Sequence, residues 1–340
     1  MRQGGASTGF LGMVESTLGK VGARLAGIAY LFLHYALLVA YIAQGGEILL
    51  VVIEKIAKTD LPAWVGTTIF AVLFGGIMYF GRPKLIEKFN HVLVFIVIVS
   101  FAGLLILAAK QVQIEQFAFQ NWTGLTRSIP VMLVALFYHN VIPVIATHLQ
   151  GDVRKIRQSI FLGSLIPLLM FITWNSVILI SVNLDNIREI TDNISQFDPL
   201  LNLRGGSGGE CLGILVSVFS WFAIITSFIG FVYGLLDFFK DVTKSSTLQW
   251  QYALILFPPT SVAALNPNIF LHALESAGAF SISISGAILP ALMVWKRRHN
   301  YENLYNYHRL VPGGKIILIA VVTIAILVIF NELFAFWTDL

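Results

Sequence analysis

Charge is what this sequence has least of. Asp, Glu, Lys and Arg together make up 12% of 340 residues, against about 25% in an average soluble domain. Apolar residues account for 57% and the mean hydropathy is +0.80. Such a chain cannot cover its surface with groups that water solvates, so an ordinary soluble domain is excluded and a lipid bilayer is the expected partner. Cysteine is nearly absent too. The single Cys211 excludes an internal disulfide framework and any multi-cysteine metal site. The net charge of +4 falls in short clusters between apolar runs rather than along one face, which argues against a nucleic-acid partner. No H-E-x-x-H spacing occurs, so the ligand pair of a zinc-dependent intramembrane protease is missing. The one nucleophile-elbow match, Gly205-Gly206-Ser207-Gly208-Gly209, lies in a glycine-rich connector rather than on the strained turn that chemistry requires. Neither an enzyme nor a cofactor is expected.

What the chain does have is long apolar runs. A helix needs about 20 apolar residues to cross roughly 30 Å of hydrocarbon, and nine segments qualify: 25–52, 63–81, 90–109, 128–148, 159–181, 211–236, 250–268, 270–295 and 314–337. Backbone groups in lipid must be satisfied within the segment, so each is read as helix, and none has the short alternation of a membrane barrel. The fold class is therefore all-α, a polytopic helix bundle with one transmembrane domain at 25–340 behind a polar N-terminal segment at 1–24. That segment lacks the apolar core of a signal peptide. Its lack of acidic residues before Glu15 is a transit-peptide trait, so the membrane is either the plasma membrane or an organellar envelope such as that of a plastid.

Sorting the connections by charge orients the bundle. With the N-terminus inside and strict alternation, 16 of the 22 basic residues fall on the inside and six on the outside. The summed bias is a strong positive-inside signal. Asn266-Pro267-Asn268 is a tight turn between the seventh and eighth segments.

Polar groups inside the membrane are costly and often functional. The fourth segment reads Ala135-Leu136-Phe137-Tyr138-His139-Asn140-Val141-Ile142-Pro143 at its middle. Pro143 removes a backbone donor and clashes with the carbonyl four residues back, so a helix break is expected beside His139 and Asn140. Freed backbone at that depth persists only where it is buried in protein or lines a cavity, as in the broken helices of secondary transporters. The other reading is a proline-kinked helix with a hydrogen-bonded histidine. The first segment carries His34, Tyr35, Tyr41, Gln44 and Glu47; Tyr41 is deep enough to face a cavity, whereas Glu47 reads as interfacial. The sixth carries Ser220, Thr226 and Ser227. Such hydroxyls usually bond back to their own helix, but Thr226 and Ser227 also suit a hard coupling cation. Ser281, Ser283 and Ser285 read as packing.

Four motifs in order resemble the tryptophan/tyrosine permeases, in the hydroxy and aromatic amino acid permease group of the amino acid–polyamine–organocation superfamily. His139-Asn140-Val141-Ile142-Pro143, followed by Gly151-Asp152-Val153-Arg154-Lys155-Ile156-Arg157, looks like the family's broken sixth helix and the loop after it. Thr226-Ser227-Phe228-Ile229-Gly230 with Leu235-Leu236-Asp237 is similar to its eighth helix, and Phe257-Pro258-Pro259 to its ninth. Leu18-Gly19-Lys20, with Tyr35-Ala36 to Glu47, is similar to the loop and third helix. The resemblance implies a leucine-transporter type of fold and uptake of aromatic amino acids, tyrosine or tryptophan, by alternating access. It implies a substrate site made by Phe137, Tyr138, His139, Asn140 and Tyr41, and ion coupling through His139, Thr226 and Ser227. A proton suits His139; sodium, the less favoured ion, suits the hydroxyls. Two departures bear on this. Phe137 and Asn140 stand where glycine is expected, which makes unwinding harder. No segment carries the family's glycine-rich first-helix break, so the chain starts where the third helix approaches. The resemblance thus implies nine helices of eleven, with half of the site missing, and weak transport or a non-transporting or regulatory form as the alternative.

Overall fold

The computed structural model describes residues 10–108, 125–138, 142–181, 209–243, 248–301 and 314–338. Every described element is helical, in the order α1 (Phe10–Ala57), α2 (Ala63–Phe80), α3 (Pro83–Ala108), α4 (Leu125–Ala135), α5 (Ile142–His148), α6 (Val153–Ser181), α7 (Gly209–Thr243), α8 (Leu248–Leu265) and α9 (Phe270–Ser276). A π-helix (Ala277–Ile288), α10 (Leu289–Tyr301) and α11 (Gly314–Thr338) complete it. Among the described residues, seven helical stretches are long and apolar enough to cross a membrane singly. The other two expected crossings are the interrupted pair α4–α5 and the 18-residue α8 with its Pro258-Pro259. Large side chains such as Phe80 (84% exposed) and Trp337 (81%) face outward, which suits helices whose outer surface meets lipid rather than water. The chain is a polytopic helical membrane protein.

Breaks fall where the backbone chemistry puts them. Pro62 precedes α2, and Gly81 ends it with its N–H donated to the Ile77 carbonyl at 2.8 Å. The Asn266 turn closes through Asn266 N–H to Val262 O at 3.1 Å and Ile269 N–H to Asn266 O at 3.2 Å. One element starts earlier than expected. Residues 10–24, read from sequence as a polar segment, are helical from Phe10 except at Gly19, whose φ of 83° interrupts the helix. The reason is an apolar face: fully buried Val14 packs with Ala26 and Leu289, flanked by Phe10, Leu11 and Leu18.

The described residues form two compact units. The first comprises Met1–Ala36, Trp122–Pro167 and His272–Leu340. Its centre is the π-helix, against which α4, α10 and α11 pack. The approach of α4 is close: a Cβ on Gly278 would lie 2.0 Å from the Pro130 carbonyl oxygen. The second comprises Leu37–Asn121 and Leu168–Leu271. There α3 packs along α7, with Leu104 and Val216 buried beneath Trp174 and Phe219. Phe70, fully buried, meets Phe228 at 5.4 Å and Trp221 at 5.9 Å between ring centroids. Small residues let the backbones of α1 and α2 touch, since a Cβ on Gly66 would fall 2.3 Å from the Gly46 carbonyl oxygen. This is the usual means of packing helices without a hydrophobic driving force between them.

Candidate functional site

The interruption of the fourth segment arises from both of its ends. Leu136 N–H still donates to Met132 O (3.1 Å), but Phe137 N–H turns to Val134 O (3.2 Å). The last turn of α4 therefore tightens to i−3 spacing and stops. Helix resumes at Ile142, with Pro143 second in α5. A first-turn N–H has no intrahelical acceptor, so proline loses nothing there. Leu136, in a turn, and Phe137 and Tyr138 after it are the described non-helical residues of this stretch. His139 and Asn140 lie outside the described residues.

Phe137 and Tyr138 both point into the first unit. The Phe137 ring covers Gly286 of the π-helix, where a Cβ would come within 2.9 Å of its Cε2. The Tyr138 hydroxyl shares a hydrogen bond with Ser164 of α6, and the Ser164 hydroxyl donates to Ile160 O at 2.7 Å. Sequence reasoning named Tyr138 but missed Ser164, 26 residues away; no local spacing signals that contact. After α5 the chain turns through Gln150 and Gly151, both at positive φ (51° and 78°). Asp152 then caps α6: its Oδ1 accepts from Arg154 N–H (3.0 Å) and Lys155 N–H (3.2 Å), and its Oδ2 lies 3.6 Å from Lys155 Nζ. The Lys155 N–H above all, aided by the Lys155 charge and the Arg154 N–H, holds this exposed carboxyl below the usual carboxylate range.

Within the second unit, Tyr41 and Ser227 come together, and Thr226 is the residue before Ser227 on α7. Tyr41 on α1 shares a hydrogen bond with Ser227 on α7 and stacks on Phe231 with centroids 5.7 Å apart and planes at 24°. Thr226 donates back to Ala223 O at 3.0 Å, the local bonding usual for a membrane-helix hydroxyl. Phe231 was not singled out from sequence, though its place four residues after Ser227 puts it on the same helix face. His34 has a structural role: its Nδ1 donates to Tyr30 O (2.9 Å) and its ring stacks on Tyr30 at 3.9 Å. Glu47 accepts from Gln44 Nε2 at 3.3 Å. Among the described residues no cluster of three or more His, Cys, Asp or Glu could hold a metal ion.

These elements define a multi-pass helical membrane protein, with an interrupted helix in one unit and an aromatic–hydroxyl group in the other. Comparison with known proteins gives the class its family. The chain matches the tryptophan/tyrosine permease family over residues 1–332 and belongs to it. It is 28% identical to tyrosine-specific transport system 1 of Haemophilus influenzae over 93% of this chain and 79% of that protein. Tyrosine-specific transport system 2 of the same organism is 27% identical over 96% and 80% of the two chains. Its tryptophan-specific transport protein is 26% identical over 85% and 73%. The family and these relatives are transporters of amino acids, not enzymes.

Proposed function

We propose that this protein is a secondary transporter that moves tyrosine or tryptophan by alternating access around the interruption at 135–143, coupled to protons. The observation that carries the reading is the family match across nearly the whole chain, joined to relatives named for tyrosine and tryptophan transport. The local geometry supports it. The substrate's ring stacks most readily on an aromatic face already held in place, and Tyr41 with Phe231 supplies one in a spanning helix. Non-helical backbone inside a spanning segment, as at Phe137 and Tyr138, leaves peptide groups for the substrate's polar end. In this reading Phe137, Tyr138, His139 and Asn140 on the interrupted segment and Tyr41 on α1 are the substrate-binding residues, and the break before Pro143 provides the backbone groups. His139 carries the coupling proton, because an imidazole alone among side chains titrates unperturbed near neutral pH. Thr226 and Ser227 support it as hydroxyl ligands.

Reconstituted proteoliposomes test this directly. Uptake of labelled tyrosine and tryptophan should be driven by an inward proton gradient and be indifferent to sodium, and His139→Ala should abolish the driven component. Uptake that follows sodium instead would reassign coupling to Thr226 and Ser227, and uptake unchanged by His139→Ala would remove His139 from the mechanism.

A further inference from the structure

Beside the transport elements, the second unit carries a groove that they do not use. It lies between α2 and α8 and has a volume of about 620 Å³, within the roughly 300–1,000 Å³ range of small-ligand sites. Its α2 wall is one helical face, from Thr68 through Ala71 and Gly75-Gly76 to Tyr79, and its α8 wall runs from Tyr252 through Leu256 to Ala264. Eleven steps of helix from Thr68 to Tyr79 span about 16 Å, roughly half of the ~30 Å hydrocarbon thickness. The groove is therefore one leaflet deep.

Its inner end is marked chemically. Tyr252 donates its hydroxyl to Met78 O at 2.9 Å, tying α8 to α2, and Tyr79 meets the Tyr252 ring edge-on at 5.3 Å. Tyrosines at that level are typical of the membrane–water boundary. The chain leaves α2 one residue after Tyr79 and enters Arg82, Lys84 and Lys88, all exposed. The basic-residue distribution assigns this end to the inside. Of the carboxylates at this end, Glu87 lies 4.0 Å from the His91 imidazole and Asp237 pairs with Lys240 at 3.2 Å. Arg82, Lys84 and Lys88 have no carboxylate partner among the described residues.

We infer that the α2–α8 groove is a binding site for an anionic phospholipid of the inner leaflet, with an acyl chain along Gly76 and the phosphate at Arg82, Lys84 and Lys88. An apolar, one-leaflet slot that ends in cations without a carboxylate partner among the described residues matches that molecule at both of its ends. Basic positions at the cytoplasmic ends of membrane helices recognise anionic headgroups in this way. Gly76 shows that the slot is open, because a Cβ placed there meets nothing within 4 Å.

The test uses the full chain, stripped of lipid in neutral detergent and titrated with phosphatidylglycerol or phosphatidylcholine of matching acyl chains, with binding read by native mass spectrometry. Phosphatidylglycerol should be retained about tenfold more tightly. The surface variant R82Q/K84Q/K88Q should abolish that preference without touching the fold. Gly76→Phe, which fills the slot, should weaken both lipids. Equal retention of the two lipids by the unaltered chain would overturn the proposal. So would a preference that survives the charge variant, or a groove covered in solution by a second copy of the chain, seen as a dimer that Gly76→Phe dissociates.

Discussion

Tyr41 does two separable things at the residue scale: its ring stacks on Phe231 and its hydroxyl is bonded to Ser227. Tyr41→Phe keeps the stack and removes only the hydrogen bond, worth about 1 kcal/mol, or roughly a fivefold change in an equilibrium. That bond is made without substrate, so Tyr41→Phe should lower the unfolding midpoint in detergent slightly and leave tyrosine uptake near the parent's, whereas under the proposed function Tyr41→Ala should lose most uptake. Asp152 allows a cleaner test of pH. Its carboxylate caps α6 and is held below its ordinary range by the N–H groups it accepts from. A depressed folded-state value means that its stabilisation is present above the unfolded value, near 3.9 for aspartate. It is lost as pH falls through the lower folded value. Thermal unfolding in detergent should show this acid-side loss in the parent. Asp152→Asn, an equally good cap, should match the parent at neutral pH but lack the Asp152 part of the acid dependence. Asp152→Ala should lower the midpoint at every pH. These roles were partly legible in sequence. Asp152 stands just ahead of a basic apolar run, the signature of a helix start, while Phe137 on Gly286 and Tyr138 on Ser164 are tertiary contacts that no local spacing encodes.

Whether helices can approach decides stability at the element scale, and here glycine position matters more than glycine number. Gly278 sits where any Cβ would lie 2.0 Å from a backbone oxygen of α4, but Gly163 on α6 has nothing within 4 Å of that point. Gly278→Ala must therefore push α4 off the π-helix, at a cost of about 2 kcal/mol or more, while Gly163→Ala should be neutral or slightly stabilising through helix propensity. Paired unfolding midpoints in detergent check this, and equal midpoints would contradict the close approach. The spanning helices themselves were legible because lipid demands long apolar runs; the gap between α4 and α5 falls beside Pro143, but Pro167 in α6 and Pro258-Pro259 in α8 lie inside continuous helices, so proline alone does not encode a break. The π-helix was not legible. Its Ala-Gly-Ala-Phe-Ser-Ile-Ser stretch satisfies an α-helical apolar pattern equally well, and only packing against α4, α10 and α11 distinguishes the wider form. Nor was the early start of α1. Its signal was present in Phe10, Leu11, Val14 and Leu18, which share one helix face, but the glycines and hydroxyls between them mask it. Ser281 and Ser283 were read as packing, and they are buried, yet among the described residues their hydroxyls find no hydrogen-bond partner. An unsatisfied buried hydroxyl costs stability, so Ser283→Ala should leave the unfolding midpoint unchanged or raise it.

At the scale of the whole molecule, the distribution of charge sets how the permease lies in its membrane. Sixteen basic residues on one side against six on the other fix the direction only if α4 and α5 together make a single crossing. If the interrupted segment turned back instead, every later connection would change sides, and Lys240, Lys296, Arg297 and Arg298 would all lie outside, against the positive-inside bias. Topology is therefore a test of the interruption as well as of orientation. The chain has one cysteine to remove, Cys211, and a Cys211→Ser background leaves single reporter positions free. In sealed cells a membrane-impermeant maleimide should label Asp60→Cys, in the exposed turn between α1 and α2, and should leave Lys84→Cys and Lys155→Cys unlabelled until the membrane is opened. Lys240→Cys decides the interruption. Protection of that site places an even number of crossings between Lys155 and Lys240, as the bundle requires, together with protection at Lys155 after the α4–α5 pair has crossed once. Labelling at Lys155→Cys in sealed cells would mean that the chain re-enters at Pro143 without crossing, and the alternating-access reading of that segment would fall with it.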